Sequence, residues 1–387
     1  MTVPVRQVTA QSPQTAEVIE RTLAFPEESQ LKWWRETGVL FSRFLQAGNY
    51  NIHEQYQHLL FLYRNIIPIL GPYPPRYKTF QTRSGIPIEY SLNFQNDNTK
   101  PLLRISCEPV NYLSGTDMDP CNQLGIRKLM TQLSESRLPE FDSAMFHHFV
   151  HRFFLSEDEV RSMQTKGTMM DSIRTHALFG FDLKGDSVST KGYMSTRWKS
   201  LSTGVPVAEL TIDSIYRLAQ TMNCTTAVEL VHSWMSESNG YDMRSWVAWD
   251  NVPIHQSRLK FYGVHNEVTL SRIQKVWTLD GRLNDAGTTR GWELIERLWE
   301  LLPMGDTLTN FSNGYNDEHH NTEADVTPSP LMWNYEVKSG CSHPFPKIYF
   351  PVHGGNDLEV AQGVAKFFES IGWKNQAGAY EPLLRSL

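Results

Sequence analysis

Apolar residues recur at helical spacing over 28–46 (Leu31, Trp34, Val39, Phe44) and 52–70 (Tyr56, Leu59, Leu60, Tyr63, Ile66, Ile67), and Gly71-Pro72 stops the second run. The period then shortens to that of strands at 86–94 and 101–109, joined by a polar Asn96-Asp97-Asn98 stretch that predicts a hairpin connection. The same order returns. Helical patterns at 123–134, 141–154 and 157–169 precede strands at 176–184 and 188–195, which flank Gly185-Asp186. Helices at 205–221 and 225–237 precede strands near 245–252 and 257–264. Helices at 267–278 and 289–302 precede strands near 330–339 and 346–353, and a helix over 357–371 follows.

Four helix–hairpin–helix units without an internal linker predict one repetitive α+β domain over 1–387, with 1–24 a flexible N-terminus. Consecutive hairpins separated by helices can align into one antiparallel sheet with all helices on one face. Closing that sheet into a barrel removes its edges and leaves the helices as an outer ring. The lumen is then a small-molecule site, provided polar side chains point inward.

The second strands of the last three hairpins carry one triplet: Lys191-Gly192-Tyr193, Lys260-Phe261-Tyr262 and Lys347-Ile348-Tyr349. Residues two apart share a strand face, so each lysine points the same way as its tyrosine. Arg258 extends the third hairpin's row, and Arg104 holds the equivalent strand of the first hairpin between Leu103 and Ile105. One such triplet reads as an ordinary solvated face; three at matching places, with Phe261 and Ile348 suited to the helical side, predict a basic lumen. Buried cations demand an anion, and a diphosphate fits. Tyrosine hydroxyls add donors for its oxygens, and tyrosine rings shield a developing carbocation. Glu89, after Ile86-Pro87-Ile88, is either a structural acceptor or a catalytic carboxylate that orients an aromatic N–H. The tryptophans, Trp246, Trp249, Trp277 and Trp333 among them, read mostly as core, with some stacking surface for such an acceptor.

Charge and cysteine usage narrow the class. A net charge of −6 argues against a nucleic-acid surface. Cys107, Cys121, Cys224 and Cys341 form neither a disulfide framework nor a zinc motif. With no signal peptide and no run of eighteen apolar residues, a cytoplasmic protein with no membrane partner is expected. His147, His148 and His151 share one helix face, but no Glu completes a His-Glu-x-x-His pattern, so they read as packed or surface residues. The polar stretch 312–326, with His319-His320, reads as an exposed loop, and Gly354-Gly355 as a turn.

At these residues the chain resembles the fungal indole prenyltransferases, the dimethylallyltryptophan synthase family. The resemblance runs from about residue 25 to 380 and includes Gly-Pro-Tyr-Pro at 71–74, Ile-Pro-Ile-Glu ending at Glu89, and Arg104. It continues through Gly115-Thr116, Asp119-Pro120, Phe181-Asp182-Leu183-Lys184, Arg258-Leu259-Lys260-Phe261-Tyr262, Trp277-Thr278-Leu279-Asp280-Gly281, Ile348-Tyr349-Phe350-Pro351 and Asn356-Asp357. The resemblance implies a barrel of repeated αββα units and transfer of a dimethylallyl group from dimethylallyl diphosphate to an indole-containing acceptor in alkaloid biosynthesis. A phenolic or polyketide acceptor is the alternative. It further implies that Arg104, Lys191, Tyr193, Arg258, Lys260, Tyr262, Lys347 and Tyr349 bind the prenyl diphosphate and that Glu89 holds the acceptor. No cofactor and no magnesium is expected, and no Asp-Asp-x-x-Asp motif occurs.

Three departures stand out. Lys347 stands where many relatives have glutamine, and Phe179 or a near neighbour falls where C4-prenylating members place a lysine. The chain also ends at Leu387, where relatives continue into another strand pair that closes the barrel. Three outcomes are open on that expectation: a truncated product, closure by a homodimer, or a non-catalytic diphosphate-binding relative.

Overall fold

Eight strands form a single antiparallel sheet in the computed structural model: β1 (Ile88–Asn93), β2 (Leu102–Cys107), β3 (Ala177–Lys184), β4 (Ser187–Ser195), β5 (Trp246–Asp250), β6 (Arg258–His265), β9 (Leu331–Lys338) and β10 (Phe345–Tyr349). A separate two-stranded ribbon pairs β7 (Glu267–Val268) with β8 (Thr307–Leu308). The structure describes residues 15–387 apart from Lys78, Phe80, Arg83, Arg137, 166–174, 242–244, 310–328 and Gly354. The sheet order is that of the chain, so each hairpin is a neighbour of the next. The edges are β1 and β10, which have no further partner strand among the described residues.

Register fixes which face each residue takes, because a slip of one residue would turn every side chain over. One face is apolar: Leu103, Ile105, Phe179, Phe181, Leu183, Val247, Trp249, Leu259, Phe261, Trp333, Tyr335 and Val337 are fully buried. Helices cover this face. Phe149 of helix Ala144–Phe153 stacks on Trp249 at 4.5 Å between centroids, Phe61 meets Phe181 at 5.4 Å, and the Tyr335 hydroxyl donates to the Val276 carbonyl at 2.6 Å. At about 1.5–3 kcal/mol per buried large apolar side chain, this layer is the main source of cohesion. Gly192, the middle residue of its Lys-x-Tyr triplet, points outward opposite Trp249. A Cβ there would lie 2.3 Å from the indole, so only glycine lets the ring lie flat on β4.

The helical layer also reaches across the sheet's open side. Helix Asp357–Ser370 packs on helix Ala286–Leu301, so closely that a Cβ on Gly363 would meet the Leu301 carbonyl at 2.4 Å. Helix Lys374–Ser386 then docks on the β1–β2 turn. Asp97 Oδ1 accepts from the backbone N–H of Asn375 (2.8 Å) and Gln376 (3.1 Å), capping the helix from outside, while Phe94 packs on Phe368 and Tyr380.

The hairpins lie where the alternation predicts them, with ends moved by a residue or two, except that the last strand, expected over 346–353, ends at Tyr349. Other expectations change. Residues 15–22, taken as flexible N-terminus, form helix Thr15–Thr22 with Ala16 and Ile19 in the core. Helices Arg197–Thr203 and Lys374–Ser386 were not anticipated; Gly378 and Pro382 weaken the helical signal of the latter. Glu267–Val268 is strand rather than helix, and the helix over 157–169 is described as Glu157–Thr165. Residues 1–14, Gly354 and the stretch 312–326 with His319-His320 lie outside the described residues. His148 Nε2 bonds the Ser214 carbonyl at 2.6 Å, and among the described residues no group of His, Cys, Asp and Glu could hold a metal ion. Among the same residues, no helix is long and apolar enough to cross a membrane.

Candidate active site

The opposite face of the sheet is polar. Pairing Arg104 with Asp182, Gly180 with Lys191, Lys191 with Asp250, Ala248 with Lys260, Lys260 with Glu336 and Asn334 with Lys347 puts all of these side chains on one concave surface. Arg258, two residues before Lys260, joins them. All eight residues expected to form the diphosphate site therefore lie on one face, contributed by β2, β4, β6 and β10.

Their counter-charges were not expected. A basic lumen calls for an anion from outside, yet Asp182, Asp250 and Glu336 are built into the same surface. Asp182 accepts from Arg104 Nε at 2.5 Å and from Lys191 Nζ. Asp250 is held by Arg258, whose Nη2 is 3.0 Å from Oδ1, with Lys260 Nζ 3.8 Å from the same oxygen. Glu336 accepts from Arg258 Nη1 at 3.1 Å and lies 3.6 Å from Lys338 Nζ. Lys347 lies in the field of Glu336. Six cations (Arg104, Lys191, Arg258, Lys260, Lys338, Lys347) against these three carboxylates and Glu89, which shares the face on β1, leave a surplus of two positive charges when Glu89 is ionised.

Burial and pairing compete at each group. Desolvation pushes the Asp182 carboxyl up, but Arg104 and Lys191 outweigh it and hold it at about 2. Lys260 is the reverse case, since burial outweighs Asp250 and brings its ammonium down to about 8. Lys191 is lowered for the same reason, with Asp182 opposing.

An aromatic row lies beside the charges. Tyr193 and Tyr262 have centroids 5.9 Å apart, and Tyr262 and Tyr349 6.3 Å apart. Asn334 Nδ2 donates to the Tyr349 hydroxyl at 2.8 Å. Burial raises all three phenols, so they stay protonated donors. Glu89 stands on β1 opposite Ser106, two pairs along from Ser91 and Arg104 and therefore on the same face. Its side chain is reachable by solvent yet walled by protein, as expected of a group inside a concavity. That surrounding pushes its carboxyl up, against a hydrogen bond from Gln81 and the charge of Arg104. Phe179 points into the helical layer and is fully buried, so the inward neighbours at that level are Leu178 and Gly180.

A family model described as Tryptophan dimethylallyltransferase matches residues 29–382. The chain belongs to that family. The enzyme is a prenyltransferase, 43% identical over 375 residues to Echinulin prenyltransferase 1 of Aspergillus ruber, a match covering 96% of this chain and 88% of that protein. It is 40% identical over 381 residues to deoxybrevianamide E synthase notF of Aspergillus sp. (strain MF297-2), covering 97% and 84%. The crystal structure of NotF in complex with brevianamide F and DMSPP superposes with a TM-score of 0.85 at 38% identity, over 97% of this chain and 90% of that one. The fold is thus the αββα prenyltransferase architecture, and the functional class is indole prenyl transfer in alkaloid biosynthesis.

Sequence reasoning passed over Asp250, Glu336, Gln81 and Asn334, and quoted Asp182 without a role. A signal existed for Asp250 and Glu336: each has the inward parity of its strand, one and three residues from apolar core positions of opposite parity.

Proposed function

We propose that the enzyme transfers a dimethylallyl group from dimethylallyl diphosphate to an indole-containing acceptor, with the cations of the concave face in place of a metal ion. The observation that carries this reading is the surplus of positive charge beside a row of tyrosines. A diphosphate ester brings about three negative charges at neutral pH, most of which that surplus offsets. Asp182, Asp250 and Glu336 are each already engaged by lysine or arginine, so a divalent ion bound to them would have to displace those cations.

The allylic C–O bond breaks with its electron pair leaving on the diphosphate, where Arg104, Lys191, Arg258, Lys260 and Lys347 stabilise the charge with the hydroxyls of Tyr193, Tyr262 and Tyr349. The tyrosine rings face the cation and exclude water. The indole ring attacks it, a C–C or N–C bond forms, and Glu89 takes up the proton from the acceptor. A carboxyl raised by its surroundings is suited to that step. The solved NotF complex holds brevianamide F, which favours an indole over a phenol as acceptor here.

The test is incubation of the purified protein with dimethylallyl diphosphate and a panel of tryptophan, cyclic dipeptides, simple indoles and phenols in EDTA, read by mass spectrometry. A mass gain of one isoprene unit on an indole is the expected result. A gain confined to phenols would overturn the acceptor class, and no gain without added magnesium would overturn the metal-free mechanism.

A further inference from the structure

Asp182, Asp250 and Glu336 have no part in the chemistry above, yet they occupy places where a carboxylate is costly. Asp182 is 4% exposed, Asp250 8% and Glu336 8%. Ionised groups at such depth persist only when paired, and a site meant solely to attract an anion would do better with neutral side chains there. Asp182 and Glu336 instead join cations from different strands, and Asp250 joins two cations of one strand. Asp182 on β3 ties Arg104 of β2 to Lys191 of β4. Asp250 on β5 takes Arg258 and Lys260 of β6, and Glu336 on β9 reaches back to Arg258 and along its own strand to Lys338.

We propose that Asp182, Asp250 and Glu336 are positioning residues of the donor site: internal counter-anions that hold the cation heads in place, and charged, while no diphosphate is bound. The proposal rests on the diphosphate reading of this face. Four flexible side chains (Arg104, Lys191, Arg258, Lys260) then meet the donor already ordered, which lowers the conformational entropy lost on binding. The arrangement also keeps net charge low enough that the diphosphate product is not trapped by six uncompensated cations.

The two effects act in opposite directions, which makes the role measurable. Lys191 is 4% exposed and faces Asp182 from β3, Arg104 from β2, Asp250 from β5 and Lys260 from β6. In Asp182→Asn it keeps one carboxylate and both cationic neighbours, so its ammonium gives up its proton at lower pH. While Lys191 stays charged, the variant carries one more uncompensated positive charge and binds diphosphate at least as tightly as the wild type. Once Lys191 is neutral, binding is weaker. A carboxylate that only supports the fold would shift affinity or unfolding temperature without changing this pH slope.

The experiment is calorimetric titration of inorganic diphosphate into the full chain from about pH 7 to about pH 9, for wild type, Asp182→Asn and Glu336→Gln. The expected result is an affinity that falls more steeply with pH in Asp182→Asn, by up to about a further tenfold per pH unit. Glu336→Gln acts on Lys260 and Lys347, which face it, and steepens the curve in the same direction. Because Glu336 lies on β9 beside the edge strand, its neutral isostere carries the test if Asp182→Asn does not fold. Curves parallel to that of the wild type overturn the counter-anion role. Absence of diphosphate binding by the wild type overturns the donor reading itself.

Discussion

Removing Arg258 tests the donor site most sharply, because this guanidinium joins Asp250 on one side to Glu336 on the other. Arg258→Ala lowers the positive surplus of the face by one and releases two carboxylates toward the incoming phosphates. A unit charge about 4 Å from a phosphate oxygen contributes about 4 kcal/mol at an effective dielectric constant of about 20. The side chain is one-third exposed, so solvent screening reduces that value. A charge-assisted hydrogen bond nets about 1.5–3 kcal/mol, and the loss expected here is about 2–3 kcal/mol, or about 30- to 150-fold in Kd. Calorimetry with unreactive dimethylallyl thiolodiphosphate measures it directly, with thermal unfolding as the control for folding. A folded variant whose Kd stays within about twofold of wild type would refute the assignment of Arg258, and with it the charge count.

Three further outcomes follow from the same geometry. Glu89→Gln keeps the size of the side chain and removes its basicity, so kcat on an indole is expected to fall by about 10²- to 10⁴-fold with donor Kd little changed; wild-type turnover would exclude Glu89 from proton transfer. Donor affinity is expected to decline as pH rises through about 8, because only charged Lys260 binds the diphosphate and burial has already brought its ammonium down to about 8. The donor's terminal phosphate, with a pKa of about 6, is fully ionised there and cannot supply the trend; a flat profile from about pH 7 to about pH 10 would contradict this account. Gly192→Ala places a methyl 2.3 Å from the Trp249 ring and is expected to destabilise the fold by about 1–3 kcal/mol; an unchanged denaturant midpoint would show that the indole moves aside freely.

The strand signal was strong because one face of every strand packs on helices and the other faces a polar concavity, which yields period-two alternation such as Lys260-Phe261-Tyr262. Alternation also gave the direction of the basic residues once several strands were compared. What it could not give was the partnership of charges. Lys191 and Asp182 lie nine residues apart across one hairpin, but Arg104 and Asp182 are 78 apart and Arg258 and Glu336 likewise 78. Those pairs depend on which hairpin lies beside which. Glu89 was found because a carboxylate among apolar strand residues is conspicuous; Gln81, which bonds it, sits in an irregular segment with no period to read. Helix Lys374–Ser386 escaped notice because its stability comes from Asp97 and Phe94 in a distant turn rather than from its own sequence.

Metal-free transfer of the dimethylallyl group from its diphosphate to an indole, with water excluded, fixes the stoichiometry of the reaction. Purified protein, dimethylallyl diphosphate and an indole acceptor in EDTA are followed for diphosphate released and prenylated indole formed in the same samples. The account predicts equal amounts of both at every time point, with no diphosphate released when the acceptor is omitted. Diphosphate release without prenylated indole, or product formed only after magnesium is restored, would contradict it.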